Sequence, residues 1–193
     1  MNLSIAILCG GSSTRFDGDK TVTSFQDKPL FRVIWDRLQS KSEDIFLQVR
    51  SKDKYPVESR EDLLDVEGPL AGIYSALVNS RREWVFVSAC DLPLIDPRLV
   101  DELDKEAGNG TRVVIPRWKS GHREPLAALY HSSLVPGMKD ALDADVHKIT
   151  EFLDGTSGVR EISIEGLIER EKITERCFYN VNTRRDLERL KIS

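Results

Sequence analysis

The chain has 193 residues, with 28 lysines and arginines against 32 aspartates and glutamates and a net charge of −4. It is long enough for one domain (residues 1–193) to bury a full hydrophobic core, and too acidic for a general nucleic-acid binder. Cys9, Cys90 and Cys177 are scattered and form no CxxC pair, which argues against a zinc site and for reduced, buried thiols. The first residues carry no basic n-region and no long apolar h-region, and no apolar run approaches the roughly 20 residues of a membrane span. The expected setting is therefore the cytoplasm, as a monomer with neither membrane nor nucleic-acid partner.

Short apolar runs alternate with segments of helical period. Ser4–Cys9 reads as a buried strand ending in Gly10-Gly11. Asp27-Lys28-Pro29 reads as a helix start, with Asp27 or Lys28 near the cap and Phe31, Ile34, Trp35 and Leu38 on the apolar face. Ile45–Val49 is the second strand. Gly68-Pro69 opens a helix whose inner face carries Leu70, Ile73, Tyr74, Leu77 and Val78. Trp84–Ala89 is continuously apolar, as in the middle of a parallel sheet, and ends at Cys90-Asp91. Asp96-Pro97 starts a helix with Leu99, Val100 and Leu103 inward.

Further strands are expected at Arg112–Pro116, Leu126–Tyr130, Val159–Ile164 and Phe178–Val181, and a helix over Asp145–Leu153. Thr183 caps a last helix, with Asp186 as a capping-box partner. This alternation predicts an α/β three-layer sandwich: a mostly parallel sheet with helices on both faces, binding its ligand at the carboxyl ends of the strands.

The strongest chemical signal is Leu8-Cys9-Gly10-Gly11-Ser12-Ser13-Thr14-Arg15-Phe16-Asp17-Gly18-Asp19-Lys20. Glycines after a buried strand let backbone N–H groups approach phosphate oxygens. Arg15 supplies a fork and Lys20 a point charge for a departing pyrophosphate. A P-loop is excluded because Asp19 separates Gly18 from Lys20, and the glycine spacing does not fit a dinucleotide fingerprint. Asp91, at the end of the most apolar strand, is placed to hold Mg²⁺; its bland alternative is turn chemistry in Asp-Leu-Pro. Arg117, Lys119, His122 and Arg123 form a basic loop that either receives an acceptor phosphate or is simply solvated. His131 and His147 read as structural or solvent-facing.

The segment Leu8–Lys20 resembles the signature loop of the molybdenum cofactor guanylyltransferases, within the Rossmann-like nucleotidyltransferases. The resemblance continues through Lys28-Pro29-Leu30, Gly68-Pro69-Leu70-Ala71-Gly72-Ile73, Cys90-Asp91-Leu92-Pro93, Glu124-Pro125-Leu126 and Asn180-Val181-Asn182-Thr183. It implies that Leu8, Cys9 and Gly10 contact the nucleotide through backbone, with Gly11 and Ser12 in the same loop, and that Lys20 holds the phosphates. By the same resemblance Asp62 contacts the nucleotide, Asp91 binds magnesium, and Asn180 and Asn182 face the pterin. Cys9 stands where alanine is usual, Asp17 where glycine is, and Gln48, near the nucleoside, where asparagine is often found.

The implied reaction is GMP transfer from GTP to the terminal phosphate of molybdopterin, with or without molybdenum, aided by Mg²⁺, with Arg15, Lys20 and Asp91 as the catalytic set. Partners implied beyond the substrates are cofactor-insertion proteins or molybdoenzymes. Two alternatives remain: a cytidylyltransferase or other small-molecule-phosphate nucleotidyltransferase, and a non-catalytic nucleotide-binding protein that delivers cofactor.

Overall fold

The computed structural model describes residues 2–9, 24–25, 27–51, 55–108 and 110–192. In chain order the strands and helices are β1 (Leu3–Leu8), β2 (Ser24–Phe25), β3 (Lys28–Pro29), α1 (Leu30–Leu38), β4 (Ile45–Val49), β5 (Ser59–Glu61), α2 (Pro69–Asn79), β6 (Trp84–Ala89) and α3 (Pro97–Glu106). They continue with β7 (Val113–Arg117), β8 (Ala127–His131), α4 (Val135–Asp143), α5 (Ile149–Asp154), β9 (Val159–Ser163), α6 (Ile164–Glu169) and α7 (Arg184–Ile192).

Seven strands form one sheet in the order β5-β4-β1-β6-β8-β7-β9. Only β8 runs against its neighbours; the β5–β4, β4–β1, β1–β6 and β7–β9 pairs are parallel. β1, β4 and β6 are buried along their whole length, which is why they are written as unbroken apolar runs. Ile5 and Ile7 face Phe31, Ile34 and Leu38 of α1, Leu99 and Leu103 of α3, and Ile164 of α6 in one apolar layer. Ala6 and Leu8 point the other way, into a layer with Leu70 and Ile73 of α2, Met138 of α4 and Leu153 of α5. Helices thus cover both faces, as expected, and each fully buried Leu, Ile or Phe contributes about 1.5–3 kcal/mol. A smaller cluster joins α7, through Leu187 and Leu190, to Phe25 and to Leu30 and Val33 of α1.

Several boundaries differ from the sequence reading. Lys28 and Pro29 do not begin the helix; they pair with Phe25 and Ser24 in a small hairpin, and Asp27 takes a positive φ of 61° at its tip. The helix starts one residue later, at Leu30, with Pro29 as its extended N-cap. On α2, Val78 is exposed rather than inward, because Ala71, Ser75 and Ala76 fill the buried face. The helix expected from Asp145 is only Ile149–Asp154, because Asp145 has a φ of 64° and cannot continue a right-handed helix. The preceding helix α4 carries Pro136 in its first turn and escaped the reading. Phe178–Val181 is not a strand. Residues Glu175–Phe178 form a 3₁₀ turn whose Cys177 and Phe178 are buried, since a short apolar run fits either state. The strand β5 was also missed, being three partly exposed polar residues at the sheet edge.

Candidate functional site

The chain goes from β1 outward to β4 and β5, then returns to β6 on the other side of β1. The order therefore reverses between β1 and β6, and the crevice outside their carboxyl ends is where such sheets hold ligands. Both strands run on past their formal ends. The Cys9 amide donates to the Gln48 carbonyl at 2.8 Å, and the Cys90 amide donates to the Leu8 carbonyl at 3.1 Å. Leu8 and Cys9 are buried. The expected phosphate loop, with Gly10, Gly11, Ser12, Arg15 and Lys20, lies outside the described residues.

Two glycines bring α2 to this edge. A Cβ on Gly72 would sit 3.4 Å from the Leu8 side chain, at the tight limit of contact. Gly68 has a φ of 124°, and a Cβ there would meet the His147 carbonyl at 3.0 Å. Glycine at position 68 lets the chain turn into Pro69 while lying against the residue-147 loop.

Asp91 follows β6 by two residues and its Oδ1 is shielded from solvent. Its backbone carbonyl accepts a hydrogen bond from the Val181 amide at 2.8 Å, across 90 residues of sequence. That single bond brings the Asn180–Asn182 segment beside Asp91. Val181 is fully buried while Asn180 and Asn182 are exposed, so the alternation expected of a strand survives without a ladder. Thr183 and Asp186 then form the capping box: the Asp186 carboxylate accepts from the Asn182 and Thr183 amides at 2.9 and 2.8 Å, and the Asp186 amide donates to Thr183 Oγ1 at 3.2 Å. These hydrogen bonds, led by Thr183, overcome partial burial and hold the Asp186 carboxyl below its ordinary range.

Asp62 lies at the same edge, two strands away from β1, with its amide bound to the Val49 carbonyl at 2.8 Å. Its Oδ1 accepts from Gln48 Nε2 at 2.9 Å. Burial raises its pKa, and the Gln48 hydrogen bond and the charge of Arg50 only partly oppose that rise. Gln48 itself is 1% exposed, with its amide engaged at both ends. Position 48 therefore stands behind Asp62. Asn79, which donates to Gln48 Oε1 at 3.1 Å, was absent from the sequence reading; its partner lies 31 residues away and no local pattern links them.

The two arginines of the basic loop are paired with the chain's own carboxylates. Arg117 pairs with Glu161 at 3.1 Å, and Arg123 pairs with Glu161 at 2.8 Å and Asp154 at 2.7 Å. The Glu161 and Asp154 hydrogen bonds lift the Arg123 pKa further. Trp118 donates to Glu124 at 2.7 Å and meets Phe178 edge-on at 5.6 Å, so it packs against the C-terminal segment. A shallow cavity of about 360 Å³ lies against Arg117, His122, Arg123 and Thr150. His131 meets Trp84 edge-on at 4.9 Å and His147 bonds Asp145 at 2.8 Å, as structural or surface groups do. Burial pushes the Cys177 thiol up to about 12, which makes it inert.

Among the described residues, no group of three or more His, Cys, Asp or Glu could hold a metal ion, and no helix is long and apolar enough to cross a membrane. An Mg²⁺ site needs no such group: this cation takes one or two carboxylates and completes its shell with water and substrate phosphates. Asp91, an oxygen donor at a strand end beside the phosphate loop's point of departure, fits that demand.

Comparison with known proteins agrees with this fold. A family model described as the MobA-like NTP transferase domain matches residues 5–159. The chain is 34% identical to a probable molybdenum cofactor guanylyltransferase of Thermococcus gammatolerans, over 96% of this chain and 97% of the relative. It is 32% identical to a molybdenum cofactor guanylyltransferase of Serratia proteamaculans, covering 93% and 89%. Among solved structures, a molybdopterin-guanine dinucleotide biosynthesis protein A from Archaeoglobus fulgidus superposes with a TM-score of 0.82 at 26% identity, covering 96% of this chain and 95% of that one.

Proposed function

Since the chain belongs to the MobA-like NTP transferase domain family and is a nucleotidyltransferase, we propose that it transfers GMP from GTP to the terminal phosphate of molybdopterin, with or without molybdenum. The observation that supports this reading is the 2.8 Å bond from the Val181 amide to the Asp91 carbonyl, which brings the Asn180–Asn182 segment beside the carboxylate expected to hold Mg²⁺.

In this mechanism an oxygen of the acceptor's phosphate monoester attacks the α-phosphorus of GTP. A new P–O bond forms, the bond to the β-phosphate's bridging oxygen breaks, and pyrophosphate leaves with the electron pair. The monoester is already ionised at neutral pH, so no strong base is required. The work is alignment and neutralisation of charge. Leu8 and Cys9 present backbone at the nucleotide, and Gly10, Gly11 and Ser12 carry the phosphate-facing amides. Arg15 and Lys20 meet the leaving pyrophosphate. Asp62 takes a donor of the nucleoside, with Gln48 behind it. Asp91 holds Mg²⁺, which supplies positive charge to the triphosphate when bound. Asn180 and Asn182 read the pterin through amides that both donate and accept.

The test is anaerobic incubation with molybdopterin, Mg²⁺ and either GTP or CTP, with products read by mass spectrometry. A guanine dinucleotide from GTP alone is expected. Product from CTP alone overturns the base assignment and moves the chain to cytidylyl transfer. GTP binding without product, beside a working control enzyme, favours a delivery role instead.

A further inference from the structure

The hydrogen bonds behind Asp62 have a polarity that can be followed from a group of known character. The Glu61 carbonyl can only accept, and Asn79 Nδ2 donates to it at 2.9 Å. The same Nδ2 donates to Gln48 at 3.1 Å, so the end of Gln48 facing Asn79 must be its oxygen. Gln48 Nε2 then necessarily faces Asp62 and donates to Oδ1 at 2.9 Å. The backbone at Asn79 is itself held, because its main-chain carbonyl accepts from Arg60 Nη1 at 2.7 Å, and that guanidinium lies 3.9 Å over the Phe46 ring. Gln48 is 1% exposed, so the orientation of its amide is set by these protein partners. Among the described residues, Asp62 Oδ2 makes no side-chain hydrogen bond.

We infer that Asn79 and Gln48 are positioning residues for the nucleoside: they fix Asp62 as an acceptor with Oδ1 occupied, leaving Oδ2 to take an N–H or O–H donor of the bound nucleoside. The inference rests on the proposed nucleoside contact of Asp62. It assigns a task to Asn79 and turns Gln48 from a ligand contact into a support. A chain of amides that only braced β4, β5 and α2 against one another could end on any acceptor; this one ends on one oxygen of a carboxylate at the carboxyl edge of the sheet and leaves the other outside the relay.

The test uses the full-length enzyme and three variants: Asn79→Asp, Gln48→Met and Asp62→Ala. Asn79→Asp keeps the volume but turns the donor into an acceptor, so Gln48 must present its oxygen to Asp62. Gln48→Met keeps the length and removes the amide. Each is expected to raise the KM for GTP about tenfold with kcat little changed, the size of one hydrogen bond to a charged group. Introducing either into the Asp62→Ala background should add no further loss of GTP affinity, because the relay acts only through Asp62. Full additivity there would mean that Asn79 and Gln48 only brace the fold, and would overturn the inference. If Asp62→Ala alone leaves GTP affinity unchanged, the nucleoside contact itself is wrong and the relay falls with it. Thermal melts of all variants separate loss of fold from loss of binding; a kcat that falls in step with the folded fraction at unchanged KM also overturns it.

Discussion

Asp44 and Asp62 flank opposite ends of the same two edge strands and are treated in opposite ways. Asp44, just before β4, is 4% exposed. It receives Ser4 Oγ, Arg60 Nη2 and the Arg81 amide. Burial works to raise its pKa, yet the hydrogen bonds of Arg60, Ser4 and Arg81 outweigh it and the carboxyl titrates below its ordinary range. Asp62, just after β5, receives one side-chain hydrogen bond, and burial raises its pKa. Arg60 touches both clusters, through Asp44 and the Asn79 carbonyl. At the amino edge the chain satisfies its own buried charge; at the carboxyl edge it leaves capacity for something else. Saturation marks a structural carboxylate, and incomplete satisfaction at a strand's carboxyl end marks a candidate for ligand binding.

The sharpest way to break this contrast is Asp44→Ala. It strands the Arg60 charge and is expected to cost about 3–5 kcal/mol in urea unfolding, with turnover per folded molecule unchanged. Asp91→Asn should do the reverse, cutting turnover by about 100-fold or more while the melting temperature stays near wild type; near-normal turnover sinks the metal assignment. Thr183→Ala removes the cap of α7 and should cost about 1 kcal/mol, read by thermal melts; any accompanying loss of acceptor affinity would tie that helix start to the Asn182 side of the site.

The smallest effect is expected from Asp62→Asn, which keeps the acceptor for Gln48 and removes a charge that burial opposes. It should raise the melting temperature slightly at neutral pH while weakening GTP binding. The pH dependence follows from the signs. Asp44, lowered in the fold, contributes stability at neutral pH that is lost as pH falls through its folded pKa. Asp62, raised in the fold, costs stability when ionised, and that cost is relieved as pH falls through its raised pKa. The advantage of Asp62→Asn should therefore shrink on acidification; an advantage that grows would contradict the raised pKa.

The amino-acid sequence by itself determined the layered architecture and the central strands. β1, β4 and β6 are legible because a strand buried on both faces must be apolar throughout, and Asp96-Pro97 and Thr183 with Asp186 because capping is local chemistry. The resemblance of short motifs supplied the roles expected of Asp62, Asp91, Asn180 and Asn182. Tertiary structure alone decided that Phe178–Val181 is no strand, that Val181 ties down beside Asp91, and that the basic loop's arginines answer to Glu161 and Asp154. It alone placed Asn79 behind Gln48. The physical reason is range: propensity and capping act over a few neighbours, whereas a hydrogen-bond partner 31 or 90 residues away is chosen by the packing of the sheet.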